Sequence, residues 1–309
     1  MGVEWLCSLC KGMLSIIRCP GRSRAKTWRL VPAICLVCVM YWLRSRFEFE
    51  TDTRGDNVAP QISSSNEVVR YLSLKDTEDA DVLDNLHQYK FSINSQNCRG
   101  RLSVVAIVHT AMYHVKKRQK IRQTLRGSSE HGSLLTVVFF VGQTINASLQ
   151  AEVKRESKEY RDIVQGNFID SYHNLTHKHM MGYHWVLTYC KHVRYVIKMD
   201  DDVVLHTNNV LRYLLSNPVP DGNILCFLIV HSKRQKKGKW NMSKKEYPFH
   251  SYPPYCGGFA YITTLPVIKM LYDTSAHIKS IWIDDAYATG ILALASNTTL
   301  QALPKGTRF

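Results

Sequence analysis

From Ser103 onward, short apolar runs rich in β-branched residues alternate with longer segments of helical pattern. That alternation confines the chain to a mostly parallel sheet covered by helices. The expected strands are Ser103 to Val108, Leu134 to Val141 and Tyr195 to Met199; the expected helices are Val115 to Leu125, Leu149 to Tyr160 and Tyr172 to His192. In such sheets ligands sit beyond the carboxyl ends of the strands. The run Tyr195-Val-Ile-Lys-Met199 ends at Asp200, Asp201 and Asp202 before apolar residues resume, so three carboxylates stand at one of those ends. Adjacent carboxylates repel, at a cost tolerable only in water or around a cation, and oxygen-rich sites of this kind suit Mg²⁺ or Mn²⁺. A solvated acidic turn is the alternative reading of the triplet.

The N-terminal part differs. Lys11, Arg18, Arg22, Arg24, Lys26 and Arg29 precede an uncharged apolar stretch, residues 30–43, which Arg44 and Arg46 close. The stretch is shorter than the ~20 residues that usually span a bilayer, but Trp28, Tyr41 and Trp42 suit interfaces and the flanking arginines can snorkel. It reads as a signal-anchor, against a cleaved signal peptide or a buried helix. The basic excess on its N-terminal side makes 1–29 a cytosolic tail and everything after 44 luminal, a single-pass type II arrangement. Residues 44–97, polar and acidic in patches with room for one short helix, read as a stem, and 98–309 as the folded domain.

On the luminal side stand four cysteines, Cys98, Cys190, Cys226 and Cys256, an even number in an oxidising compartment, so one or two disulfides are expected. Four glycosylation sequons, at Asn146, Asn174, Asn241 and Asn297, lie on the same side. The net charge of +15 raises the question of nucleic acid. Much of it belongs to the tail, and the cluster from Lys233 to Lys239 lacks the interleaved aromatics of a stacking platform, so nucleic-acid binding is not expected.

Several segments match one family in order. Ile93-Asn94 with Cys98, Arg118-Gln-Lys-Ile121-Arg122-Gln-Thr124, Asp170-Ser-Tyr172-His-Asn174-Leu-Thr176-His-Lys178, the Asp200-x-Asp202 strand, Lys239-Trp240, Tyr247-Pro248, Tyr252-Pro-Pro-Tyr-Cys256-Gly257-Gly258 and Asp284-Asp285-Ala286 together resemble the inverting β1,3-galactosyltransferases and β1,3-N-acetylglucosaminyltransferases of the Golgi membrane. The resemblance implies a GT-A-like α/β fold and transfer of a hexose, galactose or an N-acetylhexosamine, from a UDP-sugar to a glycan 3-hydroxyl on protein or lipid. Mn²⁺ or Mg²⁺ is the implied cofactor.

The family implies roles for particular residues. Cleavage of the sugar–phosphate bond leaves negative charge that a divalent cation neutralises. Asp202 is the expected direct metal ligand, Asp200 contacts the nucleotide or the metal, and Asp201 supports them. Arg118, Arg122, Asp170 and Lys178 are expected at the donor, each basic residue having a solvated helix charge as its alternative. Gly257 and Gly258 let backbone approach a sugar or make a turn. Asp285 is the expected general base, with Asp284 positioning it or binding acceptor; a helix N-cap is the alternative for this pair. Leu125 stands in place of the family's Trp, Ala286 in place of its Val, Phe259 in place of a small residue, and no His follows Asp285. With that short ending, water completes the metal shell, metal binding is weakened, or the chain is truncated. A catalytically inactive, glycan-binding or chaperone-like relative is the competing expectation.

Overall fold

The computed structural model describes residues 62–73, 87–95, 97–98, 102–126, 134–204 and 206–304, all within the unit Pro60–Phe309. The expected tail and signal-anchor lie outside these residues. Among the described residues no helix is long and apolar enough to cross a membrane.

A seven-stranded mixed sheet organises the domain. β1 (Val104–His109), β2 (Leu135–Gln143), β3 (Ile163–Ile169) and β4 (Tyr195–Asp200) are parallel in the order β3-β2-β1-β4. β5 (Asn223–Ile229), β6 (Tyr255–Thr264) and β7 (Thr299–Ala302) complete it: β6 lies antiparallel between β4 and β5, and β7 closes the edge parallel to β5. Every residue of β1 is buried, as expected of a central parallel strand covered on both faces. Each Val or Ile there contributes about 1.5–3 kcal/mol by leaving water.

Helices cover both faces. α1 (Ile62–Leu72), α4 (Leu175–Tyr189) and α6 (Leu265–Ser275) share one apolar core with Val105, Ile107, Val196 and Tyr261. α2 (Val115–Arg126), α3 (Ala147–Tyr160) and α5 (Thr207–Ser216) share the other with Val104, Ala106, Ile197 and Met199. Near the C-terminus a π-helical segment, Ala286–Ile291, runs into the short α7 (Leu292–Ala295). The layout is the GT-A-like α/β architecture expected, helices on both faces of a sheet that is parallel in its first half.

The helix expected from Tyr172 to His192 is divided into a 3₁₀ turn at Tyr172–Asn174 and α4. It stops at Cys190, which is bonded to Cys98, and the chain then turns directly into β4. A second disulfide, Cys226–Cys256, joins β5 to β6. Within the stretch read as stem, Val68 and Leu72 of α1 are core residues and Ile93 bridges to Gln165 of β3; these residues form part of the domain.

Candidate active site

The pleat of two strands builds the site. Val196 of β4 packs under α4 while Tyr195, Ile197 and Met199 pack on the other face, so alternation puts Lys198 and Asp200 on the α4 face. In β1, Val105 and Ile107 face α4, which carries His109 to the same side, in register with Asp200. Lys198 is also opposite Tyr261 of β6. A polar cluster therefore forms where the apolar core of that face reaches the carboxyl ends of β1 and β4.

Lys198 is its centre. The side chain is 1% exposed, and its ammonium donates to Asp200 Oδ1 at 3.0 Å, to the Gly258 carbonyl at 2.5 Å and to Asp285 Oδ1 at 3.4 Å. Burial alone would discharge the lysine, but the carboxylates of Asp200, Asp285 and Asp284 outweigh it and raise its pKa. Asp285 keeps 24% of its side chain exposed. Burial, then the charge of Asp284, pushes its pKa up to about 7, against the pull of Lys198. Burial likewise raises Asp200 and Asp284. Asp285 makes no capping hydrogen bond to the segment it precedes, so the alternative cap role has no bond behind it.

Asp284 is turned inward. Its Oδ2 lies 2.8 Å from His179 Nδ1, whose Nε2 is 2.8 Å from the Tyr261 hydroxyl, and Tyr261 is hydrogen-bonded in turn to Tyr183. Burial, then Lys198, lowers His179 to about 3, so the imidazole is neutral. With Asp284 ionised, Nδ1–H donates to the carboxylate and Nε2 accepts from Tyr261. Above this network opens a cleft of about 260 Å³, lined by Asp200, Gly258, Asp284 and Asp285 together with Tyr172, Lys239, Trp240 and Trp282. Lys239 Nζ stands 4.6 Å from the Tyr172 ring centre and 5.3 Å from that of Trp240.

The three aspartates do three things. Asp200 joins Lys198. Asp201 is buried on the opposite side, where its carboxylate accepts from Thr110 Oγ1 at 2.7 Å and Lys117 at 2.7 Å and meets His114 Nδ1 at 2.6 Å. Burial would raise its pKa, but these partners lower it. Asp202 is 70% exposed, with Lys117 Nζ at 3.9 Å, and lines a second cleft, of about 220 Å³, with Lys117, Leu125 and Val204. Of the three, it has the carboxylate most open to a metal.

The galactosyltransferase family model matches residues 116–304. The chain belongs to this family. It is 32% identical over 209 residues to beta-1,3-galactosyltransferase 1 of mouse, which covers 66% of this chain and 64% of that protein. To human beta-1,3-galactosyltransferase 2 it is 31% identical over 218 residues, 68% of this chain and 52% of that one. The chain thus spans between half and two thirds of the length of these relatives. Among solved structures, the mannosyltransferase Ktr4p of S. cerevisiae is 10% identical over 78% of this chain and 84% of its own, with a TM-score of 0.38, too slight a likeness to argue from.

Four residues expected at the donor in this family are placed elsewhere. Arg118 is fully buried, bidentate to Glu156 at 2.9 and 2.6 Å, and it also donates to the Ala111 and Met112 carbonyls. Arg122 is bidentate to Asp162 at 2.7 and 2.8 Å and reaches Glu156 at 2.7 Å. These are neither phosphate ligands nor solvated helix charges; they pin α2 to α3 and to the start of β3. Lys178 is buried between the Thr110 carbonyl at 2.7 Å and Asp170 at 3.0 Å, and Asp170 also accepts from the Gly142 amide. Both therefore tie α4 to the ends of β1 and β2. Gly257 lines neither cleft.

Sequence reasoning passed over Lys198, His109, His179 and Tyr261 as site residues. The signal for Lys198 was a charged residue inside an otherwise apolar run, two positions from Asp200 and hence on its face. His179, Tyr261 and Tyr183 left no such trace, because they meet only through the packing of α4 on β6.

Proposed function

We propose that this galactosyltransferase moves a hexose, galactose in the first instance, from a UDP-sugar to a glycan 3-hydroxyl with inversion, forming a β1,3 linkage. The observation that carries the reading is Asp285: a partly exposed carboxylate with a raised pKa, on the wall of a cleft that opens between the aspartate strand and a rim of aromatic rings. A base tuned near neutrality suits proton abstraction from a sugar hydroxyl, and a cleft lined by aromatic rings with a few placed polar groups suits a sugar. Asp285 takes the acceptor proton as the acceptor oxygen bonds to the anomeric carbon and the bond from that carbon to the diphosphate breaks. Lys198 holds the Asp285 carboxylate in place. Gly258 supplies the room, since a Cβ there would lie 1.9 Å from Asp285 Oδ2.

Asp202, exposed at the strand end, fits a hard divalent ion such as Mn²⁺, with Asp200 two residues before it as the second carboxylate. Bound there, the ion would offset charge on the departing diphosphate. Asp201 would anchor the strand end between them by its own bonds to α2 and Thr110. The sequence supports placement in the Golgi membrane as a single-pass type II protein. Protease protection of the domain in microsomes, with an endoglycosidase-sensitive mass shift, tests that topology; a protease-exposed domain without glycan would contradict it.

The reaction is tested with the purified full chain, UDP-sugars and glycan acceptors, reading UDP release with and without Mn²⁺ and the product linkage by NMR. A β1,3-linked product formed only with Mn²⁺ is expected. Donor binding without turnover of any acceptor would instead favour a non-catalytic, glycan-binding relative.

A further inference from the structure

We propose that His109, His179 and Asp284 form a buried cation site, distinct from the aspartate triplet and suited to a borderline ion of the Zn²⁺ type. The three come from β1, α4 and the segment before the π-helical turn. All are buried, and one ligand atom from each lies within 4.8 Å of the others. His109 is the telling member. Its side chain is 3% exposed, yet among the described residues neither ring nitrogen has a hydrogen-bond partner, an arrangement that is costly unless something else engages it.

The distances fit a small ion. His109 Nδ1 is 3.7 Å and His179 Nδ1 2.8 Å from Asp284 Oδ2. These bracket the roughly 3.3 Å between neighbouring ligand atoms that tetrahedral bonds of about 2.0–2.1 Å imply. The two rings meet at 84° with centres 4.9 Å apart, so both can aim a nitrogen at one point. His179 also has the outer partner that metal-bound imidazoles usually have: its far nitrogen is on the Tyr261 hydroxyl, backed by Tyr183. The ion would take the place of the His179 Nδ1 hydrogen, and His179 would bind as the Nε2–H tautomer, donating to Tyr261, with no net proton released.

The ligand types and charge agree. Two imidazoles with one carboxylate suit Zn²⁺ better than Mg²⁺ or Mn²⁺, and burial, with Lys198 adding to it, keeps both imidazoles neutral, the form that ligates. Lys198 opposes a cation here, as does Lys178 more weakly at His109. Asp200, Asp284 and Asp285 nevertheless give three carboxylates around the one Lys198 ammonium. His109 and Asp284 both line the cleft, so the fourth coordination position opens toward it for a water or a sugar hydroxyl.

The site does not depend on the reaction proposed above, and its test reads metal alone. The full chain, stripped with chelator, is titrated with Co²⁺ and then Zn²⁺. One Co²⁺ per chain with the visible absorption of a four-coordinate nitrogen and oxygen site is expected, displaced by one Zn²⁺. It should be unchanged in Asp202→Asn and weakened at least tenfold in His109→Asn. Absence of such a spectrum, a spectrum dominated by thiolate charge transfer, or binding lost in Asp202→Asn and kept in His109→Asn would each overturn the proposal. Should His109→Asn fail to fold, the wild-type Co²⁺ form decides alone: paramagnetically shifted imidazole proton signals from two histidines are expected, and their absence refutes the site.

Discussion

Gly258 and Asp285 fit together only because one of them has no side chain: a Cβ at 258 would lie 1.9 Å from Asp285 Oδ2 and 2.6 Å from its Cγ. In Gly258→Ala the carboxylate must therefore swing away from Lys198 and out of its position in the cleft. Misplacement of a reacting group by about 1 Å can cost ~10²-fold. We expect kcat to fall by about that factor with UDP affinity little changed, measured by steady-state kinetics beside calorimetry of UDP. Full activity in this variant would show that the position of Asp285 is not critical.

Asp285→Asn tests the proposed base directly. Turnover should drop by the ~10²–10⁴-fold attributed to a positioned acid or base, while donor binding persists. Since Asp285 makes no capping bond, thermal stability should change little. A variant within a few-fold of wild type in kcat would remove Asp285 from proton transfer.

The triplet separates by substitution. Asp202→Asn should abolish Mn²⁺-dependent UDP binding without loss of stability, because its carboxylate is exposed. Asp201→Asn should instead lower the melting temperature, because it weakens a buried contact with Thr110 and half-buried ones with His114 and Lys117. Calorimetry and thermal denaturation of both variants check the division; metal-dependent affinity unchanged in Asp202→Asn would take it out of the metal's coordination.

Glu156 should give the domain an acid-sensitive clamp. Burial raises its pKa, but Arg118 and Arg122 more than reverse this, so the folded value is lowered. The stability it contributes is thus present above the ordinary glutamate pKa of ~4.3 and is lost as pH falls through the lower folded value. Glu156→Gln, which leaves Arg118 without its carboxylate, should cost ~3–5 kcal/mol at neutral pH. Denaturant unfolding of both proteins from pH 7 down to pH 3 should show that gap closing only at the acid end; a gap independent of pH would exclude the clamp.

How much of this was legible depends on the range of the interactions involved. β1, β2, β4, α2 and α3 followed from local periodicity to within a few residues, since apolar runs and helical spacing are properties of contiguous sequence. β3, β5, β6 and β7 did not. β3 and β7 carry exposed residues at an edge, and Gly257 and Gly258 interrupt the pattern of β6. The aspartate strand end and Asp285 were visible as motifs. Arg118, Arg122 and Lys178 were visible too, but motif matching cannot say which way a basic side chain points, and all three point into the fold.

The chain order of the sheet bears on how the domain can mature. β6 follows β5 in sequence yet lies between β4 and β5, and the cluster at its end joins His179 to Asp284 across 105 residues. Neither the setting of Asp285 nor its supports are assembled until β6 has been inserted and the last part of the chain has docked on α4. Such non-local closure is slow and leaves strand edges open to aggregation while it waits. An assembled site therefore reports on completed folding: a chain halted before β6 closes carries the aspartate strand without it, and any factor that speeds this insertion raises the yield of complete domain without touching its chemistry.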